Sequence, residues 1–119
     1  MRSASLTLYY ATGRCNMAGN DQRRVDAEIY ICEAVKVLRA AQSKHLDHTD
    51  VTTVQAALEG LGIVQRSIAG AAVPDDARVA ARLRQVATAV KSCVKPDARI
   101  AYADIEIAGS IFQAMADGS

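Results

Sequence analysis

The chain has no tryptophan, one phenylalanine and four tyrosines in 119 residues, and only two prolines. Its core must therefore be built from alanine, valine, isoleucine and leucine, which suit closely packed helices. The three cysteines, Cys15, Cys32 and Cys93, are too few and too scattered for a disulfide framework. Reduced thiols are the simpler interpretation, and they predict a cytoplasmic protein.

Two broad classes of partner are also disfavoured by composition. No stretch approaches the ~20 consecutive apolar residues of a transmembrane helix, so we expect no contact with a membrane. The chain carries 14 basic and 13 acidic residues, a balance that argues against a broad electrostatic footprint for nucleic acid.

The motifs that usually carry catalysis are missing as well. There is no glycine-rich phosphate loop, no HExxH, no CxxC, and no recognisable Ser-His-Asp or Cys-His-Asn grouping. His45, Asp47, His48 and Asp50 lie close together, but in a hydrophilic connection where such residues are ordinary. A closed zinc site needs four convergent ligands, and no distant ligand accompanies this cluster. The sequence therefore predicts no enzyme, no metal site and no cofactor.

What the chain does contain is apolar residues at helical spacing, enough for one domain. The pattern predicts a flexible N-terminal arm over residues 1–19 and a helical domain over 20–119. Met17 precedes the first helical pattern and is an alternative start of translation, in which case residues 1–16 are dispensable.

Four helices are predicted, at about 20–42, 50–69, 74–94 and 97–117. The boundary signals are Asn20 or Asp21 as a first cap, Gly70 as a left-handed helix end, Pro74-Asp75-Asp76 as a third helix start, and Pro96 before the fourth. Helices two and three each show one clean apolar stripe. The expected fold is an all-α, single-domain four-helix bundle, mostly antiparallel and with short loops.

The fourth helix has more apolar surface than one core needs. Ile100, Ile107 and Ile111 share one side, while Ile105 and Phe112 lie about 120–160° away at helical spacing. A helix that lines a single core needs a stripe of only roughly 100°. The surplus predicts a second buried surface, which a partner protein or a second copy of the chain would cover.

The first helix repeats this surplus. Its broad main face runs from Tyr30 to Ala41, and a narrower face is formed by Val25, Ile29 and Cys32. Spacing alone leaves open which face of helices one and four is core and which is interface.

A charged residue stands out within the fourth helix. Asp104 lies among apolar residues, opposite the solvent face, where it either sets specificity at an interface or pairs with an arginine or tyrosine hydroxyl inside the bundle. Tyrosines favour interfaces because they offer rigid area with a polar tip. The candidate partner-binding residues are Ile29, Tyr30, Tyr102, Asp104, Ile107 and Ile111.

A different class of function also fits part of the chain. Residues 54–70 resemble a DNA-binding helix-turn-helix, with Gly62 at the turn and Gln65, Arg66 and Ser67 available for groove contacts. Leu58 stands where that motif usually has a small residue. The arginines of helix three could touch phosphates, although they are spread around the helix. A small DNA-binding repressor is therefore the alternative.

Two apolar segments carry a resemblance to a known family: ICEAVKVLRAAQS in the first helix and IAYADIEIAGSIFQAMADG at the end of the chain. Over about residues 20–117, the chain resembles the small all-helical bacterial antiactivators of quorum sensing of the QslA type. The resemblance implies a homodimer that grips the ligand-sensing domain of a LuxR-type transcription factor, covers its dimerisation surface and blocks its DNA binding. Because no motif anchors it, the resemblance transfers no individual binding residue. Small phage-encoded inhibitors of a host defence complex share this pattern and are a further alternative.

Overall fold

The computed structural model describes residues 12–44, 48–93 and 96–118, with the backbone alone for 12–20 and 48–49. These residues form four α-helices: α1 (Thr12–Gln42), α2 (His48–Gly70), α3 (Asp76–Lys91) and α4 (Pro96–Ala116). No strand occurs among them. The all-α four-helix bundle expected from the sequence is confirmed.

The helices form a closed ring in which each packs on the next and α4 returns to α1. The direction of packing follows from cross-helix contacts. Gln42 donates to Gln55 over 2.9 Å near one end of the α1–α2 pair, and Gln65 donates to the Cys32 sulfur over 3.7 Å further along. As positions rise along α2 they fall along α1, so the pair is antiparallel.

The first helix begins at Thr12, so the start predicted at Asn20 or Asp21 is too late. Once a helix is nucleated by its packed part, each further residue adds a hydrogen bond without a new nucleation cost. Gly13 and Gly19 each cost ~1 kcal/mol relative to alanine, which is a weaker effect than a proline would have. Residues 1–11, the rest of the predicted arm, lie outside the described residues.

The boundaries of α3 follow local chemistry. Asp75 adopts an extended conformation (φ −80°, ψ 94°), and its side chain accepts a hydrogen bond from the backbone N–H of Arg78 at 3.1 Å. This is an N-cap, as the Pro74-Asp75-Asp76 signal predicts. The helix ends at Lys91, a little before the predicted end at Val94, and Pro96 is the first residue of α4 rather than a mere stop.

Gly70 does end α2, but not in the predicted left-handed conformation. Among the glycines that the structure describes, Gly118 alone has a positive φ, at 81°.

The core is aliphatic, as the composition requires. The apolar stripe predicted on α3 is buried. On α2, Val54, Leu61, Val64 and Ile68 of the predicted stripe are buried, whereas Leu58 is half-buried and Val51, in the first turn, is 40% exposed. The fourth helix contributes Ile105 and Phe112, both fully buried. The largest fully buried side chains are Phe112, Ile31, Leu38, Leu61, Leu83, Ile105, Val54, Val64 and Val90.

A close approach of α2 and α3 occurs at Gly60. A Cβ atom placed there would lie 2.7 Å from Cγ2 of Val86, well inside ordinary contact distance. Glycine therefore sets the spacing of these two helices, and the helix runs through this position without a break.

Candidate interaction surface

The bundle leaves several large apolar side chains in contact with solvent, as the surplus in the sequence predicts. Seven large hydrophobic residues of the described chain are exposed: Val25, Ile29, Val51, Ile63, Val73, Ile100 and Ile107. Four of them belong to α1 and α4. Scattered exposed aliphatics are normal on a protein surface, so their arrangement matters more than their number.

On α4 the structure decides between the two apolar sides. Ile105 and Phe112 point into the core, whereas Ile100 is 52% and Ile107 41% exposed and Ile111 is half-buried. One helix cannot turn both sides inward, because α1 and α3 together cover only part of its circumference. The side that holds the three isoleucines is therefore the outer one.

On α1 the narrow face stays outside in the same way. Ile29 is 60% and Val25 49% exposed, and Cys32 is exposed beside them. These residues recur at i, i+4 and i+7, so they form a single stripe along the helix. Glu33 borders this stripe in a shallow groove.

A groove along the edge between α1 and α4 is bordered by residues of both helices. Ile107 and Ile111 share a groove with Arg23 and Asp26 of α1. The small side chains that complete this groove are Ala103, Ser110 and Ala114 of α4. We call the surface formed by Ile29, Tyr30, Glu33, Ile100, Asp104, Ile107 and Ile111 the α1–α4 face.

Asp104 lies in the middle of the α1–α4 face. Its Oδ2 atom is buried and has no hydrogen-bond partner within the described chain, although the residue as a whole is only half-buried. Burial raises the pKa of this carboxyl, and the charge of Glu33 on α1 raises it further. Among the described residues, neither the arginine nor the tyrosine partner considered from the sequence reaches Asp104, so its Oδ2 atom has no partner there.

Five of the six predicted partner-binding residues lie on the outer sides of α1 and α4, with Ile107 and Ile111 in one groove and Ile29 in a separate groove lined by α1 residues. Ile29, Asp104, Ile107 and Ile111 lie on the α1–α4 face together with Tyr30, which is half-buried and packs against the core. The sixth, Tyr102, lies on the opposite edge of α4.

Tyr102 occupies the other edge of α4. It lines a groove with Leu83 and Arg84 of α3, and Glu106 raises the pKa of its phenol through a side-chain hydrogen bond. Glu106 lies four residues further along the same helix, so this effect on Tyr102 is local.

A second groove lies between α2 and α3. Three exposed arginines, Arg66, Arg78 and Arg82, line it together with Asp75, the cap of α3. Helical spacing alone predicts that the arginines of helix three are spread around the helix. Arg78 and Arg82 are in fact one turn apart, and α2 brings Arg66 to the same groove.

The helix-turn-helix interpretation of residues 54–70 is wrong. It requires a turn near Gly62, and α2 is one continuous helix from His48 to Gly70. Glycine at position 62 costs only ~1 kcal/mol relative to alanine. Packing of the apolar stripe from Val54 to Ile68 outweighs this cost and keeps the helix intact.

Of the His45–Asp50 cluster, residues 45–47 lie outside the described residues. Within the part that the structure describes, no three His, Cys, Asp or Glu side chains are placed to hold a metal ion. No helix of the described chain is long and apolar enough to cross a bilayer.

The chain matches no family model, no curated protein and no solved structure. The resemblance to QslA-type antiactivators therefore stays a prediction.

Proposed function

We propose that this protein is a non-enzymatic, cytoplasmic regulator that binds and sequesters a partner protein through the α1–α4 face. The observation that carries the proposal is the buried Oδ2 atom of Asp104, which has no hydrogen-bond partner among the described residues and lies on the helix side that carries the exposed isoleucines. A buried charge without a partner costs stability, and natural proteins accept such costs mainly at functional sites. The partner would therefore present apolar side chains around a lysine or arginine.

The energy available from the isoleucines is moderate. The exposed parts of Ile29, Ile100 and Ile107 together equal about one and a half isoleucine side chains, and covering them would contribute about 2–5 kcal/mol. Association alone costs about 4–15 kcal/mol. A stable complex thus needs a wider interface, ~800 Å² on each partner, as well as a cation for Asp104.

The resemblance to QslA-type antiactivators suggests the identity of the partner. We propose that the target is a LuxR-type transcription factor and that the bound protein, as a homodimer, blocks dimerisation and DNA binding of that factor. Competition for a surface needs no catalytic group, which fits a chain without a recognisable acid–base set.

The test uses two aspartate substitutions at sites of equal exposure. Ile107 is 41% exposed on the α1–α4 face, and Val51 is 40% exposed on α2, away from it. The purified chain is mixed with the ligand-sensing domain of a LuxR-type factor, and the complex is measured by size-exclusion chromatography with light scattering. Loss of operator binding by the full-length factor is measured in parallel.

We expect a complex with the wild-type chain and with Val51→Asp, and binding at least about tenfold weaker with Ile107→Asp, because a charge would be buried in the interface. Both variants should remain folded by circular dichroism. A wild-type chain that stays monomeric and leaves operator binding of the factor unchanged would reject the proposed mechanism. Equal binding by both variants would place the interface elsewhere.

A further inference from the structure

The α2–α3 groove carries chemistry that the α1–α4 face does not use. Arg66 of α2 and Arg78 and Arg82 of α3 line this groove, and all three side chains are exposed. Within the described parts of the chain, none of the three guanidinium groups has a hydrogen-bond or ion-pair acceptor. By contrast, Arg24 forms ion pairs with Asp21 and Asp76, and Lys44 forms one with Asp97.

The groove holds one acidic side chain against these three cations. Asp75 lines it too, but its Oδ1 atom already accepts the backbone N–H of Arg78 as the cap of α3. The groove is therefore positive, although the chain as a whole carries a net charge of only +1. Concentrated positive charge of this kind attracts an anionic partner more strongly than the net charge would.

The groove is also partly apolar. Ile63 is 39% and Val73 78% exposed at its border, and Val79 lies at its floor, 5% exposed. A nucleic-acid backbone offers phosphates for the arginines but nothing for these aliphatic side chains. A peptide can offer both, because carboxylates match the planar guanidinium fork and neighbouring apolar side chains cover the aliphatic border.

We propose that the α2–α3 groove is a second interaction surface and that it binds an acidic, partly apolar peptide segment of another protein. Arg66, Arg78 and Arg82 receive its carboxylates, and Val73 and Ile63 contact its apolar side chains. In the ring of helices this groove lies on the side away from the α1–α4 face, so both surfaces can be occupied together. Failure of one proposal leaves the other standing.

The test measures fluorescence anisotropy of a fluorescein-labelled peptide in which glutamates alternate with leucines. Its matched control is the same peptide with glutamines in place of the glutamates. Single variants Arg66→Gln, Arg78→Gln and Arg82→Gln and the triple variant are compared with the wild type. Arg39→Gln and Arg99→Gln, at exposed arginines outside the groove, are the protein controls.

We expect the glutamate peptide to bind and the glutamine peptide to bind at least about tenfold more weakly. Each single substitution in the groove should weaken binding about two- to fivefold, which is the scale of exposed ion pairs. The triple variant should lose more than about tenfold, and binding should weaken as salt rises. The control variants should bind as the wild type does.

Four results would overturn the proposal. The two peptides could bind equally, or Arg39→Gln and Arg99→Gln could weaken binding as much as the groove variants do. Labelled duplex DNA could bind more tightly than the peptide and lose that binding in the triple variant, which would make the groove a nucleic-acid surface. Self-association measured by light scattering could disappear in the triple variant, which would assign the groove to a second copy. If the triple variant misfolds, the single variants decide.

Discussion

Replacing Gly60 with alanine measures how tightly α2 and α3 are packed. The added Cβ would lie 2.7 Å from Cγ2 of Val86, whereas ordinary contacts lie at 3.4–4 Å. Val86 is 7% exposed and β-branched, so its side chain cannot rotate away without disturbing its own packing. Overpacking of this kind costs about 1–3 kcal/mol.

Alanine also brings a gain, because glycine inside a helix costs ~1 kcal/mol relative to alanine. Gly60→Ala should therefore lie between neutral and about 2 kcal/mol less stable than the wild type. The matched control is Gly62→Ala on the same helix, where the nearest atom is a guanidinium nitrogen of Arg66 at 3.4 Å, the movable end of a flexible side chain. That variant should be ~1 kcal/mol more stable.

Subtracting the stability change of one variant from that of the other cancels the gain in helix propensity, which both share, and leaves the steric cost at Gly60. We expect urea titrations to place Gly60→Ala about 1–3 kcal/mol below Gly62→Ala, and thermal melts to place it about 4–12 °C lower. Combining Gly60→Ala with Val86→Ala should make the glycine substitution favourable, since the clashing methyl group is gone. If Gly60→Ala stabilises the protein as much as Gly62→Ala does, the helices are not held apart by glycine and the reasoning fails.

Three further predictions concern the cap, the charge and the two faces of α4. Asp75→Ala removes the N-cap of α3 and should lower the free energy of unfolding, measured by urea titration, by about 1 kcal/mol. An unchanged free energy of unfolding would contradict the capping role. The raised pKa of Asp104 means that the folded chain holds the proton more tightly than the unfolded chain, so stability is lost as pH rises from the ordinary value of 3.8 through the folded value. Asp104→Ala should then be more stable than the wild type at neutral pH, by a margin that shrinks on acidification. A margin that does not change with pH would contradict this. Phe112→Ala should lower the free energy of unfolding by about 3–5 kcal/mol, and Ile107→Ala by less than about 1 kcal/mol, because only Phe112 is fully buried. Similar decreases in melting temperature for the two variants would mean that the faces of α4 are reversed.

The sequence could not decide which residues share the candidate surface, because that depends on how neighbouring helices pack. The two apolar sides of α4 are equivalent in the sequence, since Ile107 and Phe112 both fit helical spacing. Tyr102 lies on the same helix as Ile107 but lines a groove beside α3, which helical spacing does not reveal. Arg66 and Arg78 are distant in the chain, so no local pattern signals that they share a groove.

The sequence itself determined the number of helices and the single apolar stripes of α2 and α3. Both depend on local features: the spacing of apolar residues, the cap at Asp75, and the absence of any proline between residues 1 and 73. Tertiary structure alone decided which side of α1 and α4 faces water. It also decided that Oδ2 of Asp104 has no partner within the part of the chain that the structure describes. Those properties depend on which atoms a neighbouring helix brings within a few ångströms, and helical periodicity holds no information about that.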